Sequence, residues 1–331
     1  MSDLTLPDTM NAIEIAEFGG PEGMEPRTRP LPVPASGEVL VRVTAAGVNG
    51  PDLVQRRGHY PPPKGASDLL GLEVSGEVVA SGPDQTRWQP GDRVCALTNG
   101  GGYADYVTVL ADHCLPIPDG VDEVDAAGLP EAFFTVWSNV FLDHTVPDGG
   151  NFLVHGGAGS IGTTAIQLGA ALGLNVYTTV GTDEAGAFVT SLGATQAINY
   201  LEEDFVGICR EAGGADIILD IIGGDYVARN IKASRHDARI IQLAFNLGSK
   251  VEIDLMPVML KRISYTGSTL RSRSDAFKAR VAKDLLDRVW PLFAKGALRS
   301  VTHTVIPLAE APEAHRVMEA GQHHGKILLQ P

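Results

Sequence analysis

The stretch NFLVHGGAGSIGTTAIQLGAALGLNVYTTVGT, residues 151–182, decides the fold of this chain. Its apolar start at residues 152–154 predicts a buried strand, and a glycine-rich turn follows. Apolar residues at helical spacing then run from Ile161 to Leu172, and a β-branched run predicts a second strand at Asn175–Val180. A strand, a glycine turn, a helix and a strand within about 30 residues form the context that a dinucleotide-binding fingerprint requires.

The glycines of this turn have distinct expected roles. Gly157 permits the tight turn out of the strand, Gly159 lets the backbone approach a pyrophosphate, and Gly162 lets the helix pack closely on the sheet. Ile161 and Gly162 open the helix, whose free N–H groups and positive dipole end would face the phosphates. A glycine-rich surface turn is the alternative, but the flanking elements favour a nucleotide site.

The end of the second strand bears on the choice of dinucleotide. It is Val180-Gly181-Thr182, without the acid that usually binds the ribose 2′-hydroxyl of NAD. A small, uncharged end leaves room for a 2′-phosphate, so NADPH is favoured. We assign the following Asp183 and Glu184 to the first turn of a helix that Thr182 caps.

Length, charge and cysteine content limit the classes to which this protein can belong. The 331 residues predict about two domains, and the net charge of −14 argues against nucleic-acid binding and against a polybasic membrane patch. No signal segment and no apolar run of about 18 residues is visible, so no membrane span is expected. Cys95, Cys114 and Cys209 are typical of free thiols in a reducing compartment, and we expect a cytoplasmic protein.

The first 130 residues contain short strand-like runs between turns of Gly, Pro, Asp and Ser. We predict strands at residues 11–17, 38–46, 73–80 and 103–109. This pattern is typical of a barrel-like domain rather than of a doubly wound sheet. A predicted helix at residues 124–143 leads to the second region.

From residue 151, strands and helices alternate, which predicts a parallel sheet with helices on both faces. Further strands are predicted at residues 197–200, 216–222, 239–244 and 263–268. An amphipathic helix, a strand, a helix and a last strand follow at residues 274–295, 303–306, 308–320 and 326–329. The predicted fold class is α/β, a Rossmann doubly wound parallel sheet plus a β-barrel domain.

Several long motifs resemble those of the medium-chain dehydrogenase/reductase superfamily. They are GVNGPDLVQRRGHYPPPKGASDLLGLEVSGEVV at 47–79, GDRVCALTNGGGYADYV at 91–107, FFTVWSNVF at 133–141, LVHGGAGSIGTTAIQLG at 153–169 and TGSTLRSRS at 266–274. They are most similar to the zinc-free NADPH:quinone oxidoreductase family, in the branch of the p53-inducible quinone oxidoreductase. The resemblance implies a GroES-like catalytic domain at 1–128, a Rossmann NADP(H)-binding domain at 129–268, and a C-terminal return at 269–331 that completes the catalytic domain.

Zinc-dependent relatives place a Cys where this chain has Asn49 and a His where it has Leu72. They also carry four structural cysteines after the GDRV segment, where this chain has Cys95 alone. Since a catalytic zinc needs about three protein ligands, the resemblance implies no metal. Hydride transfer then suits a quinone, or a C=C conjugated to a carbonyl, better than a plain alcohol, whose hydroxyl needs activation.

The resemblance points to Asn49 and Tyr60 as the catalytic residues. Asn49 would donate an amide hydrogen bond to a carbonyl that gains negative charge, and Tyr60 would stack on a planar ring or donate its hydroxyl. A turn residue is the alternative role for Asn49, and a loop anchor before three prolines is the alternative for Tyr60.

For the cofactor, the resemblance implicates Thr135, Gly159, Ser160, Ile161, Gly181, Thr182, Tyr200, Phe245 and Lys326. Among these, Tyr200 would bind a 2′-phosphate and Phe245 would border the nicotinamide, whereas Lys326 has the alternative of an ordinary surface lysine. Two differences from the family pattern affect the expected binding of the cofactor. A hydroxyl of the phosphate loop is missing or displaced at Ala158-Gly159-Ser160, and Ala185 replaces a family lysine. A lost charge-assisted hydrogen bond costs about 1.5–3 kcal/mol, so NADH is an alternative cofactor.

The leading hypothesis is NADPH-dependent reduction of small quinones. The first alternative is an enone or 2-alkenal double-bond reductase, for which only Tyr60 or water is a visible proton donor. The second is an NADPH-binding protein with little turnover. The resemblance also implies a homodimer through the sheet edge near residues 263–268, where an exposed edge would need protection.

Overall fold

The computed structural model describes residues 6–331. The chain divides into two compact units, one running to Phe134 and including Arg271–Pro331, the other Thr135–Leu270. The divisions predicted from the sequence lie after residues 128 and 268. Among the described residues, no helix has the length and hydropathy needed to cross a membrane.

The N-terminal segment forms short strands and three short helices within residues 6–136. The strands are β1 (Thr9–Ile15), β2 (Met24–Pro30), β3 (Glu38–Gly47), β4 (Glu73–Ser81), β5 (Arg93–Leu97), β6 (Tyr106–Leu110) and β7 (Cys114–Pro116). The helices are α1 (Gly50–Arg56), α2 (Glu123–Ala126) and α3 (Pro130–Val136), followed by a π-helical turn at Trp137–Phe141. The predicted single helix at 124–143 is wrong, because Pro130 has no backbone N–H to continue a helix and starts a new one instead.

Residues 151–267 form a six-stranded, all-parallel sheet with intervening helices. Its strands are β8 (Asn151–His155), β9 (Asn175–Val180), β10 (Gln196–Asn199), β11 (Ala215–Asp220), β12 (Ser234–Gln242) and β13 (Ser264–Gly267). The helices are α4 (Ser160–Ala171), α5 (Asp183–Ser191), α6 (Phe205–Glu211), α7 (Tyr226–Ala233) and α8 (Met256–Lys261). The order β10-β9-β8-β11-β12-β13 reverses direction between β8 and β11, the switch point at which such sheets bind ligands. The predicted Rossmann arrangement is confirmed.

The C-terminal segment contains α9 (Asp275–Arg288), α10 (Trp290–Ala294), β14 (Thr302–Pro307), α11 (Ala311–Ala320) and β15 (Lys326–Gln330). The helix predicted at 274–295 is interrupted at Val289, since Pro291 lacks the N–H that the ladder needs.

The C-terminal strands complete the barrel-like sheet, whose order is β14-β15-β3-β4-β5-β7, with β6 also paired to β3. Val39, Val41 and Val43 of β3 point into its apolar core, together with Ile327 and Leu329 of β15. The antiparallel register pairs Leu328 with Gly47. The end of β3 and the start of β15 therefore lie side by side.

Candidate functional site

The glycine turn after β8 differs from the prediction at one position. Gly156 has a φ of 73°, so the left-handed turn out of the strand belongs to Gly156 and not to Gly157. Gly157 is required for another reason, because a Cβ there would lie 2.1 Å from Oγ1 of Thr178 on β9. The assignment of the turn to Gly157 was wrong, and close packing on the neighbouring strand is its role.

Gly159 and Gly162 have the environments that a phosphate-binding turn needs. Gly159 is the N-cap of α4, and a Cβ there would approach nothing closer than the Gly156 carbonyl oxygen at 3.7 Å. A Cβ on Gly162 would lie 2.3 Å from that oxygen and 2.6 Å from Cα of Gly157. The N-terminus of α4, at Ser160 and Ile161, thus packs tightly on the turn while its outer side at Gly159 stays open. The first N–H groups of a helix have no intrahelical acceptor and can bind a phosphate.

The structure brings Tyr200 to the end of β9. A Cβ on Gly181 would lie 2.8 Å from the Tyr200 hydroxyl, and the Tyr200 side chain is half-exposed. Oγ1 of Thr182 accepts a hydrogen bond from the Ala185 N–H at 3.1 Å, which confirms the predicted helix cap. Oδ1 of Asp183 accepts from Nδ2 of Asn199 at 3.2 Å. The strand end therefore carries two hydroxyls and no unpaired carboxylate from Asp183.

Phe245 and Thr135 also belong to the Rossmann unit. Phe245 follows β12, is half-exposed, and packs on Gly223 in the loop after β11, where a Cβ would lie 2.6 Å from the Phe245 ring. This places Phe245 at the same carboxyl edge of the parallel sheet as the glycine turn. The Thr135 carbonyl accepts a hydrogen bond from Asn139 at 2.8 Å.

Asn49, Glu73 and Lys326 form a buried polar cluster in the barrel unit, each at most 4% exposed. Nζ of Lys326 donates to Oδ1 of Asn49 at 2.5 Å and forms an ion pair with Glu73. Nδ2 of Asn49 donates to Oε1 of Glu73 at 2.9 Å and to the Gly47 carbonyl at 3.3 Å. The alternative of Lys326 as a surface lysine is wrong, because its ammonium is enclosed by β3, β4 and β15.

The cluster fixes how Asn49 is oriented. An ammonium only donates, so Asn49 must present its oxygen to Lys326, and both amide hydrogens are then used within the cluster. A donor bond to substrate requires one of them to be released, and the 3.3 Å bond to Gly47 is the longer. The backbone N–H of Asn49 donates to Asp52 at 2.9 Å at the start of α1, so the residue is also a helix N-cap.

Two acidic residues that the sequence analysis did not select lie in the same unit. Oδ1 of Asp52 accepts from the Gly71 N–H at 3.0 Å, and burial raises the pKa of this carboxyl to about 6. Burial, followed by the negative charge of Glu73, raises the pKa of Glu131 to about 8. The Glu131 backbone N–H donates to Glu73 at 2.8 Å. An acid within an otherwise apolar run, as Glu131 is within residues 129–134, is the signal by which such a group can be found from the sequence.

Tyr60 is held against a cation that was also missed. The Arg271 guanidinium carbon lies 5.5 Å from the centroid of the Tyr60 ring. Nη1 of Arg271 donates to Gln55 at 2.6 Å, and Nη2 donates to the Asn99 carbonyl at 2.7 Å. Burial and the charge of Glu131 raise the pKa of Tyr60, against the opposing effect of Arg271. Tyr60 therefore keeps its proton at neutral pH and can donate it in a hydrogen bond.

Two segments of the chain match known protein families, and the whole chain is similar to curated proteins. Residues 35–119 match the alcohol dehydrogenase GroES-like domain, and residues 192–329 match the zinc-binding dehydrogenase family. The curated quinone oxidoreductase of Homo sapiens is 30% identical over 329 residues, with 97% of each chain covered.

Two solved structures are similar over nearly the whole chain. The Escherichia coli quinone oxidoreductase complexed with NADPH has a TM-score of 0.85 and 26% identity, covering 97% of this chain and all of its own. An NAD-dependent alcohol dehydrogenase has a TM-score of 0.85 and 29% identity at the same coverage. Both align with the barrel unit and with the Rossmann unit.

Proposed function

Because the chain belongs to the quinone oxidoreductase family of the medium-chain dehydrogenase/reductase superfamily, we propose that it is an NADPH-dependent reductase of small quinones. Membership of this family makes the chain an oxidoreductase of the superfamily. The observation that supports the proposal is the open backbone at Gly159, the N-cap of α4, where we propose that the cofactor's pyrophosphate binds.

The residues of the Rossmann unit fit a nicotinamide dinucleotide. Gly159, Ser160 and Ile161 would bind the pyrophosphate with N–H groups of the first turn of α4, on a backbone shaped by Gly157 and Gly162. Further along the dinucleotide, the proposed contacts are Gly181, Thr182 and Tyr200 at the adenosine ribose, and Thr135 and Phe245 at the nicotinamide. When bound, the cofactor supplies the hydride that reduces the substrate.

The choice of NADPH over NADH is proposed from the end of β9. Gly181 keeps this end small, the Tyr200 hydroxyl lies beside it, and we propose that this hydroxyl binds the 2′-phosphate. Asp183 is paired with Asn199 rather than unpaired. Ala185 supplies no cation, so the discrimination rests on neutral hydroxyls and NADH is the alternative cofactor.

A catalytic zinc does not fit the donor set of this chain. Position 72 is a buried leucine, and the Asn49 oxygen and Glu73 already bind the Lys326 ammonium, whose charge opposes a dication. Within residues 6–331, no group of three or more His, Cys, Asp or Glu side chains is placed to hold a metal ion. We therefore propose that the chemistry needs no metal.

The substrate residues are proposed to be Asn49 and Tyr60. The Tyr60 ring offers a face for a planar electrophile, and its hydroxyl stays protonated because its pKa is raised. Asn49 is oriented by Lys326, so Lys326 is proposed to act through Asn49 rather than by touching the cofactor. An amide hydrogen released from Gly47 would bind the oxygen that gains negative charge.

Glu131 favours a second candidate, reduction of an enone or 2-alkenal. This reaction leaves a carbon that needs a proton, and a carboxyl whose pKa is about 8 is still protonated at pH 7. The charge of Glu131 is one cause of the raised pKa of Tyr60, so the two groups are electrostatically coupled. We propose that Glu131 and Tyr60 together supply the proton to this carbon. A third alternative is NADPH binding with little turnover.

We also propose a homodimer through the edge of the Rossmann sheet. Every residue of β13 is exposed, and α8 buries no residue. Exposed apolar side chains cluster in sequence around this edge: Leu247, Leu255, Met256, Met259, Leu260 and Tyr265. Apolar patches of this kind mark interaction sites, and a Leu260→Asp variant should sediment as a monomer.

We also propose a cytoplasmic location, which is supported by the three cysteines, since all are buried and none forms a disulfide.

The decisive experiment follows the absorbance of NADPH, and separately of NADH, with 1,4-benzoquinone and with a 2-alkenal as acceptors. Rapid oxidation of NADPH with the quinone and little with the alkenal is the expected result. The reverse preference would establish the double-bond reductase instead. NADPH binding without turnover of either acceptor would contradict both proposed reductase activities and would leave a nucleotide-binding protein.

A further inference from the structure

A cavity of about 570 Å³ lies within the barrel unit, beside the loop that follows Tyr60. Its lining includes residues 63–67, 97–101 and 271–275, and Lys278. The volume lies within the range of small-molecule sites. None of the residues assigned above to the cofactor lines this cavity.

Two cations in the lining are buried without a carboxylate partner. Lys278 is fully buried and donates to Oδ1 of Asn99 at 2.6 Å and to the Arg271 carbonyl at 2.9 Å. Arg271 is 7% exposed and donates to Asn99 and Gln55. All of these acceptors are uncharged, and neither cation has an ion pair with a described residue. Buried charges are normally paired, whereas here the carboxylates of Asp52, Asp275 and Glu131 act on the two cations only at longer range, without an ion pair.

Two exposed cations extend the positive lining toward solvent. The Arg273 guanidinium is stacked 3.8 Å from the centroid of the Phe277 ring, and Lys64 belongs to the lining segment at residues 63–67. Neither forms an ion pair within residues 6–331. The acids of the lining are Glu38 and Asp275, and Glu38 already accepts from a backbone N–H at 2.8 Å. Four cations therefore face two carboxylates in a chain whose net charge is −14.

We propose that this cavity binds the anionic tail of the substrate, a phosphate or carboxylate group. Arg271 both contacts the Tyr60 ring and lines the cavity, so one guanidinium joins the tail site to the proposed substrate residue. The preferred substrate is then a quinone that carries a remote anionic group, and a neutral quinone is a substrate that lacks this extra contact. Remote binding energy of this kind positions the reacting part of a substrate. The identification of the ligand as a substrate rests on the proposed reductase function.

Anion binding can be measured separately from turnover. Isothermal titration calorimetry would use inorganic pyrophosphate and, separately, succinate, at fixed ionic strength and with saturating NADPH to fill the glycine turn. The wild type is expected to bind at least one anion, and the preferred anion identifies the tail as phosphate or carboxylate. The Lys64→Gln/Arg273→Gln double variant should bind it at least roughly 10-fold more weakly, as expected for lost charge-assisted bonds.

Lys295→Gln is the matched control, because Lys295 is an exposed lysine of the same unit outside the cavity lining. It should bind the anion as the wild type does. No binding of either anion at millimolar concentration, or equal affinities in the wild type and the double variant, would overturn the proposal.

A kinetic measurement tests whether the tail belongs to the substrate. The ratio of kcat/KM for a benzoquinone that carries the preferred anionic group, phosphoalkyl or carboxyalkyl, to that for 1,4-benzoquinone should fall roughly 10-fold in the double variant. An unchanged ratio, despite anion binding in the calorimeter, would overturn the substrate assignment. If no acceptor is reduced, the reductase function fails, and the calorimetry still decides whether the cavity binds an anion.

Discussion

Nζ of Lys326 lies 2.5 Å from Oδ1 of Asn49, a residue 277 positions earlier in the chain. The same ammonium neutralises Glu73, which in turn accepts an amide hydrogen of Asn49. One lysine thus balances a buried carboxylate and fixes the orientation of a proposed substrate residue. Its removal should affect both stability and catalysis.

Lys326→Met should destabilise the protein by about 3–5 kcal/mol, because it leaves the charge of Glu73 buried and unpaired. Thermal unfolding of the variant and of Lys326→Arg, which keeps the charge, measures this effect. The arginine variant should recover part of the stability, and a further Glu73→Gln change should partly rescue Lys326→Met. Equal melting temperatures for Lys326→Met and wild type would contradict the structural role of the pair.

Two glycine substitutions should separate binding from folding. Gly159→Ala adds a methyl in open space, so melting of the free protein should be unchanged while NADPH affinity falls. Gly162→Ala places a methyl against the backbone of Gly156 and Gly157 and should also destabilise the protein by about 1–3 kcal/mol. Fluorescence titration and thermal melts measure the two effects. Similar behaviour of the two variants would argue against this geometry of the turn.

Tyr200→Phe should weaken NADPH binding by roughly 10- to 100-fold, since a hydrogen bond to a charged phosphate contributes about 1.5–3 kcal/mol. Affinity for NADH should not change, because NADH has no 2′-phosphate. Fluorescence titration with each cofactor measures this, and Tyr177→Phe on the same sheet is the control. An equal loss for both cofactors would remove Tyr200 from the 2′-phosphate site.

Glu131→Gln should reduce turnover of a 2-alkenal more than turnover of a quinone, because only the alkenal leaves a carbon to be protonated. With the pKa of Glu131 raised to about 8, alkenal turnover by the wild type should be flat near neutral pH and fall as the pH rises past 8. The glutamine variant should lose this dependence. Identical pH profiles for variant and wild type would exclude Glu131 as the donor.

His315 should make the protein sensitive to acid. Its ring lies 3.1 Å from the Tyr103 hydroxyl and 3.2 Å from Arg56, and burial lowers its pKa to about 3. In the unfolded state the His315 ring binds a proton near pH 6.5, whereas in the folded state it stays neutral until about pH 3. The free energy of unfolding therefore falls as the pH drops from about 6.5 toward 3.

Urea unfolding of wild type and His315→Gln across this pH range tests the effect. The variant should be less stable at pH 7, yet its stability should fall less steeply, by up to about 1.4 kcal/mol per pH unit. The contributions of Asp52 and Glu131, which have the opposite sign, cancel in the comparison. Parallel curves would mean that His315 is protonated in the folded state.

Local features were predictable from the sequence because they depend on neighbouring residues. The strand β9 has the predicted bounds, and Thr182 caps α5 as predicted. Within the glycine turn, the tight turn out of the strand was assigned to Gly157, whereas the positive φ belongs to Gly156. Two adjacent glycines cannot be told apart locally, because the contact that excludes a side chain at Gly157 comes from the neighbouring strand.

The polar cluster depended on contacts that no local pattern encodes. Lys326 reaches Asn49 only because β15 pairs with β3. Glu131 and Arg271 were missed for the same reason, since their surroundings come from distant segments of the barrel unit. The breaks before Pro130 and Pro291 were visible in the sequence, but helical periodicity on both sides outweighed them.

The position of β15 between β14 and β3 has a consequence for synthesis of the chain. The Rossmann segment is contiguous and can fold as soon as it leaves the ribosome. The barrel is incomplete until residues 326–330 are made, because Ala46 and Gly47 at the end of β3 lack their partners on β15 and Glu73 lacks its counter-charge. Before these residues are made, the nascent chain therefore contains a complete Rossmann segment and an incomplete barrel. A premature stop codon before Lys326 would remove the counter-charge of Glu73 and the group that orients Asn49 of the proposed substrate site.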